Sequence, residues 1–202
     1  MDYEIFISYR RTDSEGNISG RDIARLLSKE FKLYGYKTFF DYSELKDNDF
    51  ARTIIPAIEN CKIFILVLTK DSLVRCSNTD DWVRQEIKTA IDNNVKIITV
   101  NPDNAFNGWP KQLPEELLSI KTIQMSAIDM NSNFEVTVKQ MIEDRILPVL
   151  PRRINVNRTQ SGTESVSFRI GQKEFTMPDQ FFNESVYKSL KRSYVINDFT
   201  NQ

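Results

Sequence analysis

Trp82 and Glu86 stand four residues apart in the run Asp81-Trp82-Val83-Arg84-Gln85-Glu86, and Ile87 and Ile91 extend it at helical spacing. On a helix that interval puts an indole and a carboxylate on one face, within reach of a single ligand. A flat aromatic beside an anion is a seat for a cationic aromatic ring, such as a pyridinium carried on a sugar. The same two residues also suit a plainer reading, a core anchor next to a solvated charge. Other chemistry-bearing residues are sparse. The chain holds no histidine, which removes Ser-His-Asp and Cys-His catalysis and every histidine-based metal site. Its two cysteines, Cys61 and Cys76, make neither a disulfide framework nor a zinc site and point to a reducing cytoplasm. Asp80 and Asp81 resemble an acidic metal patch, yet a helix N-terminus accounts for them.

The elements that must position these residues follow from periodicity. Tyr3 to Tyr9 is an apolar, aromatic and β-branched run that reads as a first strand, with Arg10-Arg11-Thr12-Asp13 directly after it. Ser19-Gly20-Arg21-Asp22 resembles a capping box ahead of Ile23, Ala24, Leu26, Leu27 and Phe31 at helical spacing. Gly35 stands where a helix ends, and Tyr36 to Phe40 form a second strand that stops at Asp41. A polar loop from Tyr42 to Asp49 leads to a helix from about Phe50 to Asn60, complicated by Pro56. Lys62 to Leu68 is almost continuously apolar, as a strand buried on both faces must be. The Trp82 helix runs to about Asn93, and Val95 to Val100 form a fourth strand. A short helix near Pro114 to Leu118, a weak strand at Lys121 to Met125 and an amphipathic helix from Phe134 to Ile146 complete the alternation.

Five strand–helix alternations at βαβ spacing predict an α/β fold, a flavodoxin-like five-stranded parallel sheet with helices on both faces. Ligands in such sheets sit beyond the carboxyl ends of the strands, where Arg10, Asp41 and the loops before Phe50 and Trp82 converge. The body is expected to span residues 1–147. Leu147-Pro148-Val149-Leu150-Pro151 opens a polar linker, 148–164. A small C-terminal extension, 165–202, follows: Val166, Phe168 and Ile170 alternate, Gly171-Gln172 suits a two-residue turn, Phe175 and Met177 alternate again, and a short helix is expected from about Glu184 to Tyr194.

Composition narrows the partners. With 202 residues, 40% hydrophobic and 27% charged, the chain has the make-up of a soluble domain large enough for a full core. A net charge of −1 offers nothing to nucleic acid, and no apolar run approaches the roughly 20 residues a membrane helix needs. Met1-Asp2-Tyr3-Glu4 is acidic and enters a strand directly, so no signal peptide is expected.

Five short motifs in order give the chain a family likeness. Phe6-Ile7-Ser8-Tyr9-Arg10-Arg11, Phe40-Asp41, the loop to Phe50, Ala57-Ile58-Glu59-Asn60-Cys61 before a buried strand, and Trp82-x-x-x-Glu86 together resemble the TIR domain over about Met1 to Leu147. The likeness is to its NAD-cleaving branch, which includes bacterial antiphage proteins and an animal enzyme of axon degeneration. The resemblance implies a TIR fold and cleavage of the nicotinamide–ribose bond of NAD+, as glycohydrolase or ADP-ribosyl cyclase. It makes Glu86 the catalytic carboxylate and Trp82 the stacking indole, with Tyr9, Arg10, Arg11, Asp41 and Phe50 around the substrate. It implies no cofactor and no metal, since NAD+ is the substrate. It also implies a cytoplasmic protein of bacterial defence or cell-death signalling that self-associates through TIR domains, a neighbour's loop completing the site. The chain departs from the family where Lys46-Asp47-Asn48-Asp49 replaces a loop glycine and where Lys46 replaces an acidic residue, which bears on loop shape and assembly.

The chemistry agrees with so spare a site. Ordinary glycosidases need two carboxylates because an alkoxide leaving group needs a proton. Nicotinamide departs as a neutral molecule from a cationic ring, so one carboxylate that stabilises an oxocarbenium-like transition state suffices. Plainer roles stand beside these. Arg10 and Arg11 bind pyrophosphate or ribose, or Arg10 pairs with Asp41 and ties two strand ends. Phe50 packs on the sheet or faces the ligand; Tyr9 lines the site or caps the core; Cys76 is a reactive or an ordinary loop thiol. The rival function is a TIR adaptor without catalysis, acting by TIR–TIR interaction. A flavodoxin-like receiver would want a phosphate-binding glycine loop or an acidic phospho-acceptor pocket, and the Tyr9-Arg10-Arg11 strand end has neither.

Overall fold

The most apolar run of the chain, Ile63–Val67 (β3), is buried at every position, because parallel strands flank it and helices cover it. The computed structural model describes residues 3–16, 20–40, 50–158, 165–170, 173–178 and 194–199. On one side of β3 lies β1 (Ile5–Tyr9) and beyond it β2 (Thr38–Phe39); on the other lie β4 (Lys96–Pro102) and β5 (Ser126–Ile128). The order is β2-β1-β3-β4-β5, and every pairing is parallel. Tyr9 pairs with Val67 and Val67 with Val100, so the three central strands end side by side. From β1 the chain steps outward to β2 and returns to β3 on the opposite side. That reversal opens a crevice at the carboxyl ends of β1 and β3.

Among the described residues four α-helices cover the sheet: α1 (Arg21–Leu33), α2 (Phe50–Asn60), α3 (Trp82–Asp92) and α4 (Phe134–Met141), the last running on through a π turn, Ile142–Ile146. α1 packs beside α4 and α2 beside α3, one pair to each face. α1 buries Ala24, Leu27 and Phe31 at helical spacing, each large side chain contributing roughly 1.5–3 kcal/mol. It ends in a Schellman motif: Gly35 sits at φ 82°, while Tyr36 N–H donates to Phe31 O and Gly35 N–H to Lys32 O.

Its start differs from the capping box read in the sequence. The N-cap is Gly20, which has no side chain to offer, and Ser19 lies outside the described residues. The cause is proximity. Gly20 N–H donates to Arg10 O at 3.0 Å, and a Cβ on Gly20 would lie 2.6 Å from that oxygen and 3.0 Å from Tyr9 Cβ. Gly20→Ala is therefore expected to cost about 1–3 kcal/mol by overpacking, although the backbone angles suit alanine. A urea melt that moved by less than the error of the fit would show that the helix start yields freely.

Three further differences have local causes. The helix near Pro114 is a 3₁₀ run, Glu115–Thr122, because Leu117 and Ile120 are buried three residues apart, the repeat of that helix. It consumes Lys121 and Thr122, so the last strand of the sheet is Ser126–Ile128 rather than Lys121 to Met125. Part of the presumed linker is a strand, β6 (Arg152–Arg158), whose alternation of Ile154 and Val156 is masked by charged and polar neighbours. It joins β7 (Ser165–Ile170), β8 (Lys173–Pro178) and β9 (Tyr194–Phe199) in a separate sheet of order β8-β7-β6-β9. β7 and β8 pair antiparallel, Ile170 opposite Lys173, and the expected turn at Gly171-Gln172 lies outside the described residues. Tyr194 opens β9 instead of closing a helix, and the rest of that expected helix lies outside the described residues.

Candidate active site

Successive residues of a strand point to opposite faces, so Phe6, Ser8 and Arg10 share one face of β1. That face meets α3, and two polar contacts join them. Arg10 grips Asp81, the N-cap of α3, through both terminal nitrogens: Nη1 to Oδ2 at 2.6 Å and Nη2 to Oδ1 at 2.8 Å. Asp81 also accepts from Arg84 N–H at 3.0 Å, the ordinary capping bond. Arg10 Nε donates to Ser72 O at 2.9 Å, and Nη2 reaches Cys76 Sγ at 3.7 Å. One turn along the helix, Ser8 Oγ donates to Glu86 Oε2 at 2.6 Å, with Ser8 wholly buried and Glu86 2% exposed.

The pair sets the local electrostatics. Burial pushes the Asp81 carboxyl up, but the hydrogen bonds and charge of Arg10 outweigh it and hold the group below the usual carboxylate range. Burial likewise opposes the charge on Arg10, and Asp81 overcomes that and raises it. Burial, then the negative charge of Asp81, pushes the Cys76 thiol up to about 12. With its side chain wholly buried as well, Cys76 fits the ordinary thiol and not the reactive one. Because the Asp81 carboxyl titrates lower folded than unfolded, its stabilisation is present above about pH 4 and lost as pH falls through the folded value. Thermal melts taken downward from pH 6 should show this acid loss, and Asp81→Asn should flatten it. An unchanged slope in that variant would place the acid sensitivity in other carboxylates, such as Asp71, Glu116 and Asp129.

Beside these contacts lies a cleft of about 250 Å³ at the carboxyl end of β1. Tyr9, Arg10, Arg11, Trp82 and Glu86, all singled out from sequence, line it together. Of the remaining two, Phe50 begins α2 but its side chain is not among those described, and Asp41 lies outside the described residues, so its pairing with Arg10 does too. Among the described residues Arg10 forms an ion pair with Asp81. The reading of a core indole beside a solvated carboxylate is inverted: Trp82 is 38% exposed while Glu86 is buried. Tyr9 is buried and still forms part of the wall.

Three lining residues were not legible as such: Thr12, Arg75 and Val83. Arg75, on a 3₁₀ turn (Val74–Ser77), donates from Nη2 to Thr12 O at 2.5 Å and Thr12 Oγ1 at 2.9 Å, closing one rim across two loops. Nothing in its sequence spacing marks it. Among the described residues no group of three or more acidic or cysteine side chains could hold a metal ion, and no helix is long and apolar enough to cross a membrane. Chemically the cleft offers an aromatic plane, a buried carboxylate and cationic side chains at its rim.

Comparison with known proteins identifies the family. The TIR domain family model matches residues 5–142. NAD(+) hydrolase sarm1 of Drosophila melanogaster is 36% identical over 122 residues, 58% of this chain and 8% of that protein. NAD(+) hydrolase SARM1 of Danio rerio is 31% identical over 143 residues, 69% of this chain and 19% of that protein. The chain thus spans less than a fifth of the length of these relatives. Among solved structures, the TIR domains of the activated Roq1 resistosome align with a TM-score of 0.46 at 18% identity, covering 71% of this chain and 99% of that one.

Proposed function

The chain belongs to the TIR domain family, and on that premise we propose that it cleaves the nicotinamide–ribose bond of NAD+, as a glycohydrolase or an ADP-ribosyl cyclase. The observation that carries the proposal is the burial of Glu86 in the wall of a cleft it shares with the exposed indole of Trp82. A carboxylate so placed meets positive charge in little competing water, where its field acts most strongly. The names of the aligned relatives support the same activity.

In the proposed reaction the nicotinamide ring stacks on Trp82 and the ribose lies against Glu86. The C1′–N bond breaks, its electron pair neutralises the ring nitrogen, and nicotinamide leaves without a proton. Positive charge then gathers on C1′ and the ring oxygen, and the Glu86 carboxylate stabilises it and holds the ribose hydroxyls. Water attacking C1′ and losing its proton gives ADP-ribose; an adenine nitrogen attacking instead gives the cyclic product. The cleft lies just below the roughly 300–1,000 Å³ usual for ligand pockets, which suits the nicotinamide–ribose half of the dinucleotide. Arg11 and Arg75, which line the cleft, would receive the phosphates.

The test is nicotinamide release and NAD+ loss by the wild-type chain at high protein concentration, with product mass separating hydrolase from cyclase. A folded protein that released none, concentrated or crowded, would instead favour the adaptor that works by TIR–TIR contact. The proposal includes self-association: specific activity should rise with protein concentration, and a value constant over a hundredfold range would argue for a self-sufficient monomer. For its setting we propose bacterial antiphage defence or cell-death signalling, read out as a fall in cellular NAD+ on expression.

A further inference from the structure

Ser8 is an anomaly in its strand. β1 is buried at every position, and Ser8 pairs in register with Leu66 in the middle of the sheet. A hydroxyl there costs free energy unless it is hydrogen-bonded, and an aliphatic side chain would be the simpler choice. Its bond runs to Glu86 Oε2 at 2.6 Å, a short O–H···O hydrogen bond. Ser8 stands two residues before Arg10 on the same strand face, and Glu86 five residues after Asp81 on α3. Arg10 therefore fixes where α3 begins, and Ser8 fixes the carboxylate a turn further in. Neither bond can be kept if the helix slides or turns on the strand.

We propose that Ser8 is a positioning residue: its hydroxyl locks one oxygen of Glu86 and so presents the carboxylate to the cleft in a single orientation. This rests on the glycohydrolase reading above. A preorganised carboxylate stabilises developing charge without reorienting during the reaction, so the contribution of Ser8 falls in the transition state and not in substrate binding.

The experiment compares steady-state NAD+ cleavage and thermal melting for wild type, Ser8→Ala and Ser8→Thr. Ser8→Ala, which removes one oxygen and leaves the packing in place, should lower kcat about 10–100-fold, the range for losing a hydrogen bond to a charged group. KM should change little, because ground-state binding is untouched. Ser8→Thr keeps the hydroxyl on a strand that suits β-branched residues and should recover most of kcat. Ser8→Ala with wild-type kcat, or a loss confined to KM, overturns the positioning role and leaves the glycohydrolase reading standing. A loss of kcat that merely tracks a collapse in melting temperature also overturns it. No turnover by wild type overturns both together.

Discussion

Glu86→Gln is expected to reduce nicotinamide release by at least about a hundredfold, the lower end of what one preorganised charge-stabilising group supplies. Glutamine is the informative substitution. It preserves side-chain volume, and its amide oxygen still accepts from Ser8 Oγ, so the β1–α3 contact survives while the negative charge does not. Circular dichroism and melting should match wild type, which assigns the loss to chemistry. Trp82→Ala should behave differently: a 38% exposed indole contributes mostly to holding the ring, so KM should rise more than kcat falls. Equal turnover by wild type and Glu86→Gln would falsify the assignment of this residue.

Asp81→Ala should be the most destabilising single change at the site. The Arg10–Asp81 pair has both side chains only 8% exposed, and removing one member of a buried pair leaves the other charge uncompensated at about 3–5 kcal/mol. Loss of the N-cap adds about 1 kcal/mol. For a chain of this size that is roughly 8–24 °C of melting temperature. The reason is the isolated guanidinium, not the lost attraction, and this yields a sharper test. Arg10→Met combined with Asp81→Ala removes both charges and should recover much of the stability lost by either substitution alone, giving a large coupling in the double-mutant cycle. Losses that simply add would show that water reaches the pair and that its burial counts for little.

The sequence made some of this legible and hid the rest for physical reasons. β3 and the alternation of strand and helix could be read because burial on two faces leaves no room for polar residues. Trp82 and Glu86 could be found because a local interval on a helix is a spatial statement. Which of them would be buried could not, since that depends on β1, which supplies Ser8 from 78 residues away. The partner of Arg10 was hidden for the same reason: Asp81 is 71 residues distant and becomes a neighbour only when the strand order brings α3 across β1. β6 was obscured because its two apolar residues are set among arginines and asparagines, where composition suggests a linker and only pairing reveals a strand.

The sheet order also governs when the proposed activity can arise during synthesis. Ser8 and Arg10 leave the ribosome some seventy residues before Asp81 and Glu86, and β1 reaches its place only after β3 has been inserted beside it. The two halves of the cleft therefore meet late, by closing long loops of chain. A nascent or truncated polypeptide ending before α3 carries the arginine-rich strand end but no carboxylate. Such a fragment would lack the proposed NAD+ cleavage.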